Sequence, residues 1–179
     1  MLPAERISRF LSYLLRHRPK EYPLALDSRG FVSWSEVVAT VQERFPECTE
    51  EQIRVVVTGA DKKRFELKDA KVRATYGHSF PVDLGLEPVE PPPQLYYGTA
   101  RDLARSILRK GLRPRDRQYV HLSASVDEAI AVGKRWDPAP ALIIVDALAA
   151  YAGGVRFFAS GPLFLAESVS AKFLSLDSK

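Results

Sequence analysis

Cysteine is nearly missing from this chain of 179 residues: Cys48 stands alone. One thiol excludes an internal disulfide and any zinc site built on cysteine pairs. Asparagine is absent and methionine occurs once. Both are thermally labile types, and their scarcity suits a heat-exposed protein. Three histidines, His17, His78 and His121, lie in unrelated stretches without metal-ligand spacing, so no metal is expected. No apolar run is long enough to cross a bilayer and no secretory leader pattern opens the chain, so the expectation is a cytoplasmic protein without a membrane partner. No Gly-x-Gly-x-x-Gly follows a strand pattern, and Gly-x-Ser-x-Gly and His-Glu-x-x-His do not occur. A Rossmann site, a hydrolase elbow and a zinc-protease helix are therefore unsupported.

What is present is a core-forming composition, 46% hydrophobic and 27% charged, enough for one domain or two small ones. The formal charge is +4 and arginines outnumber lysines. Guanidinium presents a planar fork that matches phosphate oxygens, so the excess leans toward phosphate or nucleic-acid partners.

The stretch Leu14-Leu15-Arg16-His17-Arg18-Pro19 organises the first half. Ile7, Phe10, Leu11, Leu14 and Leu15 form one helical stripe, with Arg16 opposite it and His17 on its flank. Pro19 stops the helix. Cations in a last turn also complement the helix dipole, so this cluster is not diagnostic alone. Asp27-Ser28-Arg29-Gly30 is a turn and Phe31-Val32 a short strand. Ser33 with Glu36 and Thr49 with Gln52 mark two capped helices, the second ending at Gly59. Arg64–Leu67 and Lys71–Thr75 read as a hairpin. Three helices followed by a hairpin is a winged-helix pattern. The third helix offers Glu50, Glu51, Gln52 and one arginine, Arg54, a poor groove reader. The cations sit on the hairpin instead, at Lys62, Lys63, Arg64, Lys68, Lys71 and Arg73, which suits holding phosphates over reading bases.

Pro81 to Pro93 cannot form regular structure on composition and reads as an extended linker, placing a boundary there. The expected division is 1–85, a linker at 86–93, and 94–179. Beyond it, Leu95–Tyr97 is a strand, Thr99 caps a helix ended by Gly111, and Arg113, Arg115 and Arg117 lie in a basic loop. Tyr119–Ser123 is a strand and Ser125 caps a helix to about Arg135. Strands follow at Ala141–Val145, Val155–Phe158, Pro162–Leu165 and Ser168–Leu176. Many strands with two helices make an α+β lobe with a mostly antiparallel or mixed sheet.

Four basic groups stand at special positions: Arg16 and His17 at a helix end, Arg64 opening a strand, and Arg117 before another. Meeting at one point, they would bind a phosphate and offset its developing charge. Gly77-His78-Ser79 reads equally as a surface turn or a ligand loop. At Tyr97-Gly98-Thr99, Gly98 would let a ligand approach the main chain at a helix start, though a plain capped helix also accounts for it. His121 and Ser123 share one strand face, suited to ribose hydroxyls.

These segments, with Lys63-Arg64-Phe65 and Val132-Gly133-Lys134-Arg135, occur in the order that resembles the RNA 2′-phosphotransferase (tRNA 2′-phosphotransferase) family across essentially the whole chain. The resemblance implies an amino-terminal winged-helix lobe and a carboxy-terminal lobe of ADP-ribosyltransferase fold, with RNA and NAD⁺ meeting in a cleft. It implies attack of an internal RNA 2′-phosphate on the nicotinamide-bearing carbon of NAD⁺, then closure by the 2″-hydroxyl, giving 2′-hydroxyl RNA, nicotinamide and ADP-ribose 1″,2″-cyclic phosphate. By motif, the catalytic set is Arg16, His17, Arg64 and Arg117, with Arg135 a nearby alternative to the last. NAD⁺ contacts fall to Tyr97, Gly98, Thr99, His121, Ser123 and Arg135, and RNA contacts to Arg18, Lys63, Arg73, His78 and Ser79. Tyr97 stands where the family usually has histidine, which bears on NAD⁺ affinity. A monomer is expected. Two other readings stay open: an ADP-ribosyltransferase with another acceptor, for which Glu167 is the candidate acid, and a winged-helix regulator that senses NAD⁺.

Overall fold

A computed structural model describes residues 3–59 and 63–177, so the cation expected at Lys62 lies outside the described residues. The chain divides into two compact units, Met1–Gly85 and Leu86–Lys179. Among the described residues there are six α-helices and two sheets, every strand pair antiparallel. The class is α+β.

In the first unit the amphipathic stripe becomes α1 (Ala4–Arg16), burying Ile7, Leu11, Leu14 and Leu15. Phe10 packs edge-on against Tyr22 and Phe45, with ring centroids 5.7 and 5.4 Å away. Each such side chain taken from water contributes about 1.5–3 kcal/mol before entropic costs. Then come β1 (Val32–Ser33), α2 (Trp34–Arg44), α3 (Glu50–Thr58), β2 (Phe65–Lys68) and β3 (Lys71–Ala74). The strand order is β1–β3–β2, so Val32 and Ser33 add a third strand to the expected hairpin. The hairpin turn holds Asp69 and Ala70 at φ 48° and 57°, the two positive dihedrals of a type I′ turn.

Thr49 caps α3 as expected: its Oγ1 accepts from the Gln52 amide, and Gln52 Oε1 accepts from the Thr49 amide. Ser33 precedes α2 but makes no cap, because its Oγ bonds to Ser35 Oγ instead.

The second unit holds β4 (Pro88–Val89), β5 (Gln94–Thr99), α4 (Arg101–Lys110), β6 (Val120–Ser123), α5 (Val126–Gly133), β7 (Ala141–Asp146), α6 (Ala147–Ala152), β8 (Phe157–Ser160), β9 (Leu163–Ala166) and β10 (Leu174–Leu176). Their order across the sheet is β10–β7–β5–β6–β9–β8–β4. Leu95, Leu122, Val145 and Phe157 are fully buried at its centre.

Four expectations need correction here. The proline-rich stretch is not wholly irregular: Pro88 and Val89 pair with Phe158 and Phe157. β4 is an edge strand, where proline's missing donor leaves no gap in a ladder. Thr99 does not cap α4; it is the buried last residue of β5, and Ala100 takes the cap position. Ser125 stands before α5 without a side-chain cap bond, and that helix ends at Gly133. The long last strand is broken: Val169 bridges Leu112, a 3₁₀ turn spans Ala171–Phe173, and only Leu174–Leu176 pair with β7. Helix α6 has no counterpart in the sequence reading, although a local signal marks it: Asp146 Oδ1 accepts from the Ala149 amide at the head of an alanine-rich run.

Candidate functional site

The first unit ties its expected basic groups Arg16 and Arg64 to α1. Arg16 is the last residue of α1 and is half-buried. Its guanidinium lies over the Tyr76 ring at 4.7 Å and the Phe65 ring at 5.7 Å, and Nη2 donates to the Arg64 carbonyl at 3.5 Å. Ring faces attract such a cation and fix its plane. The Arg16 carbonyl is held from the other side, accepting from the Ser79 amide (2.9 Å) and Ser79 Oγ (3.2 Å). Arg64 Nη1 donates to Ser8 Oγ on α1 at 3.1 Å. His17 follows as an exposed residue at the helix end. The structure thus brings Arg16, Arg64 and Ser79 together through direct bonds, with His17 next in the chain.

Two residues in this set escaped sequence reasoning. Ser8 is a buried polar position inside the apolar stripe of α1. Tyr76 continues the alternation of buried Val72 and Ala74 past the end of β3. Both signals are periodic, but neither names a partner.

Other assigned residues sit differently. His78 is 1% exposed, so the loop histidine expected to face RNA points inward, where its Nε2 comes near Gly30 and its ring meets Phe80 edge-on. Gly77, at φ 85°, allows the chain reversal that carries it there. Burial, then the charges of Arg16, Arg73 and His17, lower its pKa from 6.5 to about 4, so it is neutral at physiological pH. Arg73 is not a free cation: Nε pairs with Glu66 at 2.7 Å, Nη1 donates to the carbonyls of Arg29 and Leu84, and the guanidinium stacks on Phe31. Those contacts fasten the hairpin to neighbouring loops and leave little of the side chain for an outside ligand. Arg18 is exposed and pairs with Glu21 at 3.2 Å. Lys63 is exposed, and its carbonyl accepts from Thr75 Oγ1.

In the second unit, Arg117 Nη1 lies 2.6 Å from His121 Nδ1. A guanidinium only donates, so Nδ1 accepts and the ring proton sits on Nε2. Arg135 is exposed in the turn after α5. Ser123 is buried opposite Tyr96 of β5. Gly98 is glycine for a reason other than ligand approach: a Cβ there would lie 1.8 Å from the Ala129 carbonyl oxygen, so α5 occupies that space. Tyr97 is half-buried and lines a cavity of about 220 Å³ with Leu103, Ile107, Lys110, Arg113 and Arg115. An apolar wall with a cationic rim accepts a ring carrying phosphate. Glu167, the candidate acid of the alternative reading, is paired with Arg156 at 2.6 Å.

Among the described residues, no helix is long and apolar enough to cross a membrane, and no group of three or more metal-ligating side chains is gathered.

Comparison with known proteins agrees with the motif order. The family model for "RNA 2′-phosphotransferase, Tpt1 / KptA family" matches residues 3–163. A probable RNA 2′-phosphotransferase of Acetivibrio thermocellus is 39% identical over 180 residues, 99% of each chain. One of Agrobacterium fabrum is 45% identical over 172 residues, covering 94% of this chain and 92% of its own. One of Pyrococcus horikoshii is 42% identical over 142 residues, 79% and 80% of the two chains. A match spanning both compact units at these identities places the chain in the RNA 2′-phosphotransferase, Tpt1/KptA family.

Proposed function

We propose that this enzyme removes an internal 2′-phosphate from RNA and passes it to NAD⁺. The observation that carries the reading is the pair Arg16–Arg64: the Arg16 guanidinium is held on two rings and the Arg64 carbonyl, and the Arg64 guanidinium by Ser8. Here the nucleophile is the substrate's own phosphate, and the protein supplies fixed positive charge.

Arg16, Arg64 and Arg117 hold the phosphate, and His17 orients the groups around it in the closing step. NAD⁺, as co-substrate, supplies an electrophilic ribose carbon and a neighbouring 2″-hydroxyl, so the phosphate departs as ADP-ribose 1″,2″-cyclic phosphate with release of nicotinamide. The cavity beside Tyr97 fits part of that molecule, with Leu103 and Ile107 against a ring and Lys110, Arg113 and Arg115 near phosphates. His121 and Ser123, on the opposite face of the sheet from that cavity, serve ribose oxygens, with Thr99 and Arg135 as further NAD⁺ contacts. The three helices and three-stranded sheet of the first unit act as a winged-helix lobe, the second unit as an ADP-ribosyltransferase-like lobe, and the enzyme works as a cytoplasmic monomer.

The test is to incubate the enzyme with NAD⁺ and an RNA bearing one internal 2′-phosphate. Nicotinamide, 2′-hydroxyl RNA and the cyclic phosphate should appear in equal amounts. Nicotinamide release with the phosphate retained on an ADP-ribosylated RNA would favour transfer to another acceptor. Tight duplex binding without nicotinamide would favour the regulator.

A further inference from the structure

The positive charge of this chain is concentrated in one stretch. Between Arg101 and Arg117 there are seven basic and two acidic side chains, a net +5 against +4 for the whole chain, so everything outside that stretch is net negative. The stretch comprises α4 and the loop after it. Arg101, Arg105 and Arg109 recur every fourth residue on one helical face and all three are exposed. The cavity beside Tyr97 is lined by a different face of the same helix, through Leu103, Ser106, Ile107 and Lys110.

Most of the other arginines are already engaged. Arg9, Arg18, Arg54, Arg73 and Arg156 each pair with a carboxylate within 3.2 Å. On α4 only Arg101 has such a partner, Asp137 at 3.4 Å. Among the described residues neither Arg105 nor Arg109 makes an ion pair, and Arg113 beyond them is likewise exposed and unpaired. Uncompensated like charges at this density cost self-repulsion in the free protein, which an outside anion relieves.

We propose that the Arg101–Arg105–Arg109 face of α4 is a sequence-independent track for the RNA sugar-phosphate backbone. The inference rests on RNA being the substrate and extends its footprint to the second unit, beyond the residues assigned from motifs. Guanidiniums at regular intervals meet successive phosphates and read no bases. An acidic protein surface or an anionic membrane would also be attracted. RNA is favoured because six of the seven cations are arginine, the fork suited to phosphate oxygens, and because Arg101, Arg105 and Arg109 follow one another along the helix with no acidic residue between them on that face.

The experiment uses the full chain and a labelled single-stranded RNA of about 20 nucleotides without a 2′-phosphate, so that binding is measured apart from catalysis. Arg105→Glu with Arg109→Glu should weaken binding about tenfold at 0.1 M salt and flatten the slope of log affinity against log salt by about 1.4, near 0.7 for each phosphate no longer held. Arg105→Gln with Arg109→Gln should show the same slope change with an unaltered melting curve. Arg44→Glu with Lys172→Glu, the same change in net charge at two other exposed sites, should leave the slope intact. Parental affinity and slope in the double variant would overturn the proposal. So would equal weakening in the control pair, or loss of binding to phosphatidylserine vesicles with RNA binding unchanged. If the parent fails to release nicotinamide from NAD⁺ with 2′-phosphorylated RNA, yet RNA binding still depends on Arg105 and Arg109, the reaction assignment falls and the track stands.

Discussion

The two units hold their chemistry by opposite means. The first immobilises charged side chains: Arg16 lies over Tyr76 and Phe65, Arg64 is tied to Ser8, and Arg73 is locked to Glu66, two carbonyls and Phe31. The second fixes its main chain, pressing α5 onto Gly98 so closely that no Cβ fits, and leaves its densest group of cations in water. An arginine's place in the sequence does not tell which use it serves. Immobilised guanidiniums suit a step that needs fixed geometry, because no reorganisation is required when charge develops. Exposed ones without an ion pair suit a polymer that must be held in many registers.

The largest effect that would break this contrast is on turnover. Arg16→Ala and Arg64→Ala should each lower kcat/KM by about 10²- to 10³-fold, the usual consequence of removing one fixed donor to developing charge. Near-parental rates in either would remove that residue from the site. Next is Gly98→Ala, where the added methyl meets the Ala129 carbonyl oxygen. It should destabilise the protein by about 3 kcal/mol, as urea unfolding would show.

His78 gives a pH signature confined to the first unit. Its folded pKa is depressed from 6.5 to about 4, so the unfolded chain binds the proton more readily. The stability this contributes is present above pH 6.5 and is lost as pH falls from there through 4, about 3 kcal/mol at most. Urea unfolding followed by buried Trp34 should show this loss, and His78→Phe should flatten it. The smallest difference separates the two kinds of arginine directly. Arg73→Leu should cost the first unit about 2 kcal/mol by leaving Glu66 and two carbonyls unpartnered, whereas Arg109→Leu should change stability by less than about 0.5 kcal/mol.

Local signals in the sequence located most elements. The stripe of α1, the Thr49–Gln52 cap and the stops at Gly59 and Gly111 depend on neighbours within a few residues, and the structure keeps them. Ser33 and Thr99 carry the same cap chemistry and make no cap bond, because a serine hydroxyl and a strand ladder claim them, while Ser125 holds the cap position of α5 without a side-chain bond. The grouping of Arg16 with Arg64 was suggested by residue type. Its means, Tyr76 and Ser8, depended on which faces of α1 and β3 meet, and that is a tertiary fact. The same holds for His78 and Arg73: composition made them ligand-binding candidates, and packing turned both inward.

The hairpin tip has a practical consequence. Type I′ turns favour asparagine and glycine, and this chain, with no asparagine, places Asp69 and Ala70 there. Ala70 at φ 57° carries roughly 1 kcal/mol of backbone strain, and its carbonyl accepts from the Trp34 amide at 2.9 Å. That bond ties the strained position to the start of α2. The tip is thus a ready point for hardening the protein against heat by one exchange, Ala70→Gly, at a residue to which no part of the chemistry is assigned.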